Sequence, residues 1–351
     1  MCAHPRAELA DRIYYNTQAG TPTDKPKRIT QWAGSGIDWL TASADGKRLT
    51  FLKAAYQAQV YLGELAAGGT RINPPRRLTN DDASDNPTAW TPDNKAVLFQ
   101  SDRSGTWGIF KQGIGQDTAE PVVTAVQKIE GAGISADGAW ILYQEGPNTV
   151  GVSTPIRVMR IPVSGGVPQF AMEVREGGVL GYGCSRAPAS LCVVLETAQD
   201  ENHLTVTAFD PLKGRGKTLR TIDKDPSASD GGADLSPDGS TLAVGKGREP
   251  EIHISLLSLS GDSDREITVK GWANLPWNAL YWSPDGKGLY CGSVSPQSHT
   301  LLYVDLKGNA RVLWQFKGQA RSIWGVPSPD GRYLAIPSSV TNSNVWMLAG
   351  F

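Results

Sequence analysis

Apolar and polar residues alternate along this chain in short runs, and the runs return at a fixed spacing. Ile252, Ile254 and Leu256 against His253 and Ser255 show the two-residue period of a half-buried strand. One set of runs occupies 49–52, 96–99, 140–143, 191–195, 242–244, 289–291 and 333–336. A second follows at 60–62, 108–110, 156–161, 204–209, 252–257, 301–304 and 345–348. A third lies at 77–79, 121–124, 168–171, 217–222, 265–269 and 310–316. These segments are rich in β-branched and aromatic residues, and no stretch carries the 3.6-residue apolar stripe of a helical repeat.

A tetrapeptide precedes each member of the first set. Six copies are legible: Ser43-Ala44-Asp45-Gly46, Thr91-Pro92-Asp93-Asn94, Ser135-Ala136-Asp137-Gly138, Ser236-Pro237-Asp238-Gly239, Ser283-Pro284-Asp285-Gly286 and Ser328-Pro329-Asp330-Gly331. Their aspartates recur every 44–48 residues, with one double interval of 101 that holds the degenerate copy Ser185-Arg186-Ala187-Pro188. Proline presets φ, aspartate bonds back to the following backbone and glycine accepts positive φ, so the tetrapeptide reads as a hairpin turn. Asp45, Asp93, Asp137, Asp238, Asp285 and Asp330 are accordingly structural and not a catalytic set.

Four short strands per period of 40–50 residues predict an all-β fold, a seven-bladed propeller of four-stranded antiparallel blades. The blades start near 37, 87, 131, 180, 232, 279 and 323. The last blade supplies three strands, and segment 26–30 is expected to supply its outer one. Its sequence, Pro26-Lys27-Arg28-Ile29-Thr30, matches Pro75-Arg76-Arg77-Leu78-Thr79. Residues 26–351 then form a single propeller and 1–25 an extension. Ile13-Tyr14-Tyr15-Asn16 reads as a further strand, either a remnant or the sign of an eighth, incomplete blade.

The 351 residues carry a net charge of −1, which leaves no electrostatic footprint for nucleic acid. No apolar stretch reaches membrane-span length, and residues 1–8 have no signal-peptide core.

The repeat resembles the TolB-type, WD40-like propellers, in Arg77-Leu78-Thr79, Ala89-Trp90-Thr91-Pro92-Asp93-Asn94 and Gly108-Ile109-Phe110, and again in Tyr281-Trp282-Ser283-Pro284-Asp285-Gly286. The stretch Pro327-Ser328-Pro329-Asp330-Gly331-Arg332-Tyr333, ending in Asn344-Val345-Trp346-Met347-Leu348, looks like the C-terminal propeller of bacterial transmembrane serine/threonine kinases and winged-helix regulators. That likeness implies a sensory or interaction module, placed outside the membrane when part of such a receptor. The kinase signatures themselves do not occur in this chain.

Candidate chemistry is sparse. The Gly-x-Ser-x-Gly elbow of propeller-linked hydrolases is missing. His4, His203, His253 and His299 lack ligand spacing, with His203 and His299 expected on the rim. Cys184 and Cys192 flank the degenerate turn and are either a disulfide or two reduced thiols. Loops leading into the innermost strands should gather Trp32, Asp81, Asp82, Asp223, Asp225, Trp272, Trp277 and Trp324 at the channel mouth. Tryptophans beside carboxylates suit a protein, a peptide or a small ligand. The expectation is a monomeric, non-catalytic binding module with no metal or cofactor. The alternative is a propeller lyase or glycan hydrolase that uses channel histidines and carboxylates.

Overall fold

A computed structural model describes residues 14–18, 21–28, 36–124, 128–146, 156–174, 179–198, 200, 202–223, 229–247, 250–261, 263–276, 279–316 and 322–349. The chain divides into two compact units, residues 58–338 and residues 1–57 together with 339–351. The described elements are all strands, and none of the described residues form a helix able to cross a membrane.

Residues 58–338 form a closed ring of six blades. Blade 1 runs through Asp85–Trp90, Ala96–Ser101, Gly108–Gly113 and Glu120–Val123. Blade 2 is Lys128–Ile134, Trp140–Gly146, Arg157–Pro162 and Gln169–Glu173. Blade 3 is Val179–Cys184, Cys192–Thr197, His203–Asp210 and Gly214–Asp223. Blade 4 is Ser229–Leu235, Thr241–Gly247, Ile252–Ser258 and Arg265–Val269. Blade 5 is Leu280–Trp282, Gly288–Val294, His299–Asp305 and Ala310–Phe316. Within each blade the strands pair antiparallel in sequence order.

Blade 6 is built from both ends of the unit. Val326–Pro327 and 333–338 supply its inner half, and 58–66 and Arg76–Arg77 its outer half. Arg76 and Arg77 pair with Leu62 and Tyr61. Of the expected closing segment 26–30, the described residues 26–28 belong to Thr21–Arg28, which pairs with Tyr14–Gln18, and Arg76–Arg77 occupies the edge of blade 6. The innermost strands of blades 1 to 6 touch in order, and the sixth touches the first. Valine, isoleucine and leucine side chains fill the seams. Val60, Leu62, Val326 and Ala335 of blade 6 pack on Trp90, Val97, Phe99 and Phe110 of blade 1 in one buried cluster.

Seven sheets form among the described residues. Six of them make the ring. Six of the seven repeat turns lie in it, and the first turn, with Asp45, belongs to the other unit. There Gly36–Ala42 pairs with residues of 48–54 across that turn, and Ile37, Leu49 and Phe51 are buried with Leu348 against them.

The six aspartates share one geometry. The Ser or Thr hydroxyl two residues earlier donates to the carboxylate at 2.5–2.7 Å, and the backbone N–H two residues later donates at 3.0–3.1 Å. The fourth position has positive φ throughout, including Asn94 at 62°. The hydroxyl bonds from Thr91 and Ser236 hold Asp93 and Asp238 below the usual carboxylate range.

Candidate functional site

Each innermost strand is hydrogen-bonded along one edge only, and in the ring the other edge faces a central bore. β-Bulges interrupt the pairing at Pro87/Ala89, Glu130/Gly133, Val179/Gly181 and Asp230/Ala233, and so bend the inner strands of blades 1 to 4 at one level. The bore is a cavity of about 950 Å³ that touches all six blades. Its wall includes Gln100, Glu130, Gln144 and Trp324, and also the backbone of Gly131, Gly133, Gly181 and Gly183. At Gly131 an added Cβ would meet nothing within 4 Å, so this side of the bore presents bare main chain.

The turn-side end of the bore is crossed by a side chain. In blade 3 the degenerate turn carries Arg186 where four of the other five ring turns carry proline and one alanine. Arg186 Nη1 donates to the carbonyl of Pro329, 3.2 Å away on blade 6, opposite in the ring. Its backbone N–H donates to Pro237 O of blade 4 at 2.7 Å. Burial lowers the guanidinium pKa, and Asp234 counteracts that. Asp234, from the inner strand of blade 4, accepts from Trp282 N–H at 2.8 Å. Enclosure in the bore raises its carboxyl to about 6, against the Trp282 bond and the Arg186 charge. Asp234 is half-buried. Tyr281 also lines the cavity, its phenol pKa pushed up by burial and by Asp234.

The degenerate turn is held differently from its neighbours. Ser185 Oγ still accepts from Leu191 N–H at 2.9 Å, but no aspartate follows it. Cys184 and Cys192, directly paired across the two strands, form a disulfide at its base. Cross-blade bonds brace the surrounding wall. Trp90 Nε1 donates to Val326 O (2.9 Å), Trp282 Nε1 to Asp234 O (3.1 Å) and Trp324 Nε1 to Pro87 O (3.0 Å). Tyr182 Oη bonds the carbonyl of Gly131 on blade 2.

The residues expected at the mouth disperse. Trp324 lines the bore and packs between the cores on either side of it. Asp81 sits on the loop before blade 1 but is drawn to Arg103 at 3.0 Å. Asp82 on the same loop is exposed. Asp223 ends the outermost strand of blade 3, away from the axis, and meets His203 Nε2 at 3.3 Å. Trp272 packs on the core shared by blades 4 and 5. Trp32, Asp225 and Trp277 lie outside the described residues. His299, expected on the rim, is 3 % exposed and stacks on Phe316, because its strand packs against blade 6. His253 contacts Glu266 on the neighbouring strand (3.2 Å), and none of His203, His253 or His299 lines the bore. No three His, Cys, Asp or Glu side chains among the described residues converge as a metal-binding group.

Sequence reasoning singled out neither Arg186 nor Asp234 as a site residue. The signal for Arg186 was its departure from the turn consensus. For Asp234 there was none, since its neighbours in space come from blades 3 and 5.

No family profile and no curated protein sequence matches the chain. Solved structures do resemble it. A putative TolB from Agrobacterium tumefaciens aligns over 81 % of this chain and 99 % of its own, with a TM-score of 0.58 and 17 % identity. A structure of a nidogen/laminin complex covers the same share and 98 % of its own chain, at TM-score 0.53 and 12 % identity. TolB from Acinetobacter baumannii gives 0.52 and 12 %, covering 81 % of this chain and 66 % of its own. The fold is thus a TolB-like β-propeller.

Proposed function

We propose that residues 58–338 are a non-catalytic binding module that takes a protein, peptide or small ligand into the axial bore. The module serves as the sensory or scaffold part of a bacterial signalling system. The observation that carries this reading is the bore itself, a cavity of about 950 Å³ whose wall combines glycine main chain, the amides of Asn86, Gln100 and Gln144, and aromatic side chains such as Trp324 and Tyr281. General acid–base chemistry needs several titratable groups within reach of one another and of a substrate. The bore offers Asp234 and Arg186 at one end and Glu130 and Asp137 in its wall, Asp137 being held in its turn by Ser135, and the histidines lie elsewhere. A propeller lyase or hydrolase therefore has less support. The nidogen/laminin neighbour, a complex of two proteins by its name, favours a macromolecular partner. The C-terminal likeness to kinase and winged-helix propellers supports the signalling context.

The test is to plug the bore. Gly181 lines the cavity and an added Cβ there has no neighbour closer than Ala233 O at 4.0 Å, so Gly181→Trp is the variant expected to fill the bore. Ligands selected from a displayed peptide library on the native protein should lose at least about tenfold in affinity on this variant. Selected ligands that bind both proteins equally, or are chemically turned over, would refute the reading.

A further inference from the structure

We infer that the turn-side end of the bore is a seat for the C-terminal carboxylate of an extended peptide, with Arg186 as the donor. This rests on the binding-module reading above and adds the chemistry and direction of the ligand.

Three observations carry it. First, Arg186 is under-satisfied where it lies. A guanidinium presents five N–H donors in a planar fork, and of these the protein engages Nη1 through Pro329 O. Among the described residues the guanidinium makes no other hydrogen bond, and Arg186 lines the cavity. Removing a guanidinium from bulk water costs free energy that an oxyanion held on two of its N–H groups restores. Second, the neighbouring carboxylate does not consume that capacity. Asp234 is close enough for its charge to act on Arg186, yet its hydrogen bond goes to Trp282 N–H. Third, the wall leading to Arg186 is suited to a polypeptide. Gly131, Gly133, Gly181 and Gly183 put no side chain into the bore, and they lie on inner strands whose axial edge has no strand partner. An extended chain can approach such an edge closely and bond to the main-chain groups that the wall's own side chains leave unused, the Gly131 carbonyl being already taken by Tyr182 Oη. A fatty acid would find no apolar tunnel here, since Gln100, Glu130, Gln144 and Asn86 share the lining.

The blade 3 turn holds this donor in place. The sequence there departs from the repeat at Arg186, loses the aspartate lock and gains the Cys184–Cys192 bridge beneath it. The bridge restrains the hairpin from which Arg186 reaches across to blade 6.

The experiment is a calorimetric titration of the full chain with an alanine–serine pentapeptide bearing a free C-terminus, and with the same peptide as its C-terminal amide. Free acetate serves as the control for a carboxylate without a chain. The acid should bind about 10- to 100-fold more tightly than the amide, the range of a charge-assisted hydrogen bond, and acetate more weakly than either peptide. Arg186→Gln should bring the acid down to the level of the amide, Arg186→Lys should keep part of the difference, and Gly181→Trp should abolish both. Melting curves show whether each variant is folded, and Arg186→Lys preserves the charge should Arg186→Gln fail to fold. Equal binding of acid and amide, both blocked by Gly181→Trp, would overturn the carboxylate seat while the binding-module reading stands. Equal binding that Gly181→Trp does not block would overturn both. Absence of acid binding up to the order of 10 mM would also overturn the seat.

Discussion

Arg103 organises the loop that leads from blade 6 into the bore, and its replacement by methionine gives a quantitative test of that arrangement. Its guanidinium meets Asp85 through two bonds of 2.8 and 2.9 Å and Asp81 at 3.0 Å, and it lies over Phe99 and Phe110 at 5.2 and 5.0 Å. The two carboxylates differ in environment. The Asp81 side chain is 48 % exposed, so its pairing contributes on the order of 0.5 kcal/mol. The Asp85 side chain is 0 % exposed, and losing the Arg103 cation strands a buried charge, which costs about 3–5 kcal/mol. Methionine retains most of the packing on the two rings but forgoes a cation–π contribution of roughly 0.5–1 kcal/mol. Arg103→Met should therefore destabilise the ring by about 4–6 kcal/mol near neutral pH.

The pH dependence identifies the cause. Burial already raises the Asp85 carboxyl above its ordinary value, with Arg103 opposing it. Without Arg103 the folded pKa rises further above the unfolded one. The folded state then holds the proton more tightly than the unfolded state, so stability falls as pH rises between the two values. The penalty should thus be smaller at pH 5 than at pH 8. Urea unfolding followed by tryptophan fluorescence at both pH values measures this, and Asp85→Asn combined with Arg103→Met should recover at least half of the loss. A cost below about 1 kcal/mol at both pH values, or a double variant weaker than the single one, would refute the buried-charge argument.

Other consequences are as direct. Asp285→Ala removes the bonds from Ser283 Oγ (2.7 Å) and Lys287 N–H (3.1 Å) and should cost about 1–2 kcal/mol in the same assay, with the fold retained. Replacing Cys184 and Cys192 by serine opens a loop of sequence separation 8 and should cost about 2–3 kcal/mol, with dithiothreitol lowering the melting temperature of the native protein and not of the variant. Gly292→Ala puts a Cβ 2.0 Å from Ile323 O at the seam between blades 5 and 6, so the ring must yield there; about 3 kcal/mol is expected, the upper range for overpacking, read as a drop in melting temperature. Cys291 is buried and its thiol pushed up to about 12, so Ellman's reagent should modify it only after denaturant is added.

Strands and turns were legible in the chain alone, because both are local. A two-residue apolar period specifies a strand, and a hydroxyl, a carboxylate and a positive-φ residue within four positions specify the hairpin corner. The ring and its site were not local. Pro26-Lys27-Arg28 and Pro75-Arg76-Arg77 read alike, and what separates them is that Arg76 and Arg77 meet Leu62 and Tyr61 at the edge of blade 6. Asp81 and Asp223 look like mouth carboxylates until Arg103 claims one and the outermost strand carries off the other. Arg186 reads as a spoiled turn, and only closure of the ring brings Pro329, 143 residues away in sequence, within reach of its guanidinium. Sequence by itself determined the repeating unit, since that depends on forces between neighbours along the chain. Tertiary structure decided how the units close and which side chains meet at the axis, because those contacts join residues that the order of the chain keeps far apart.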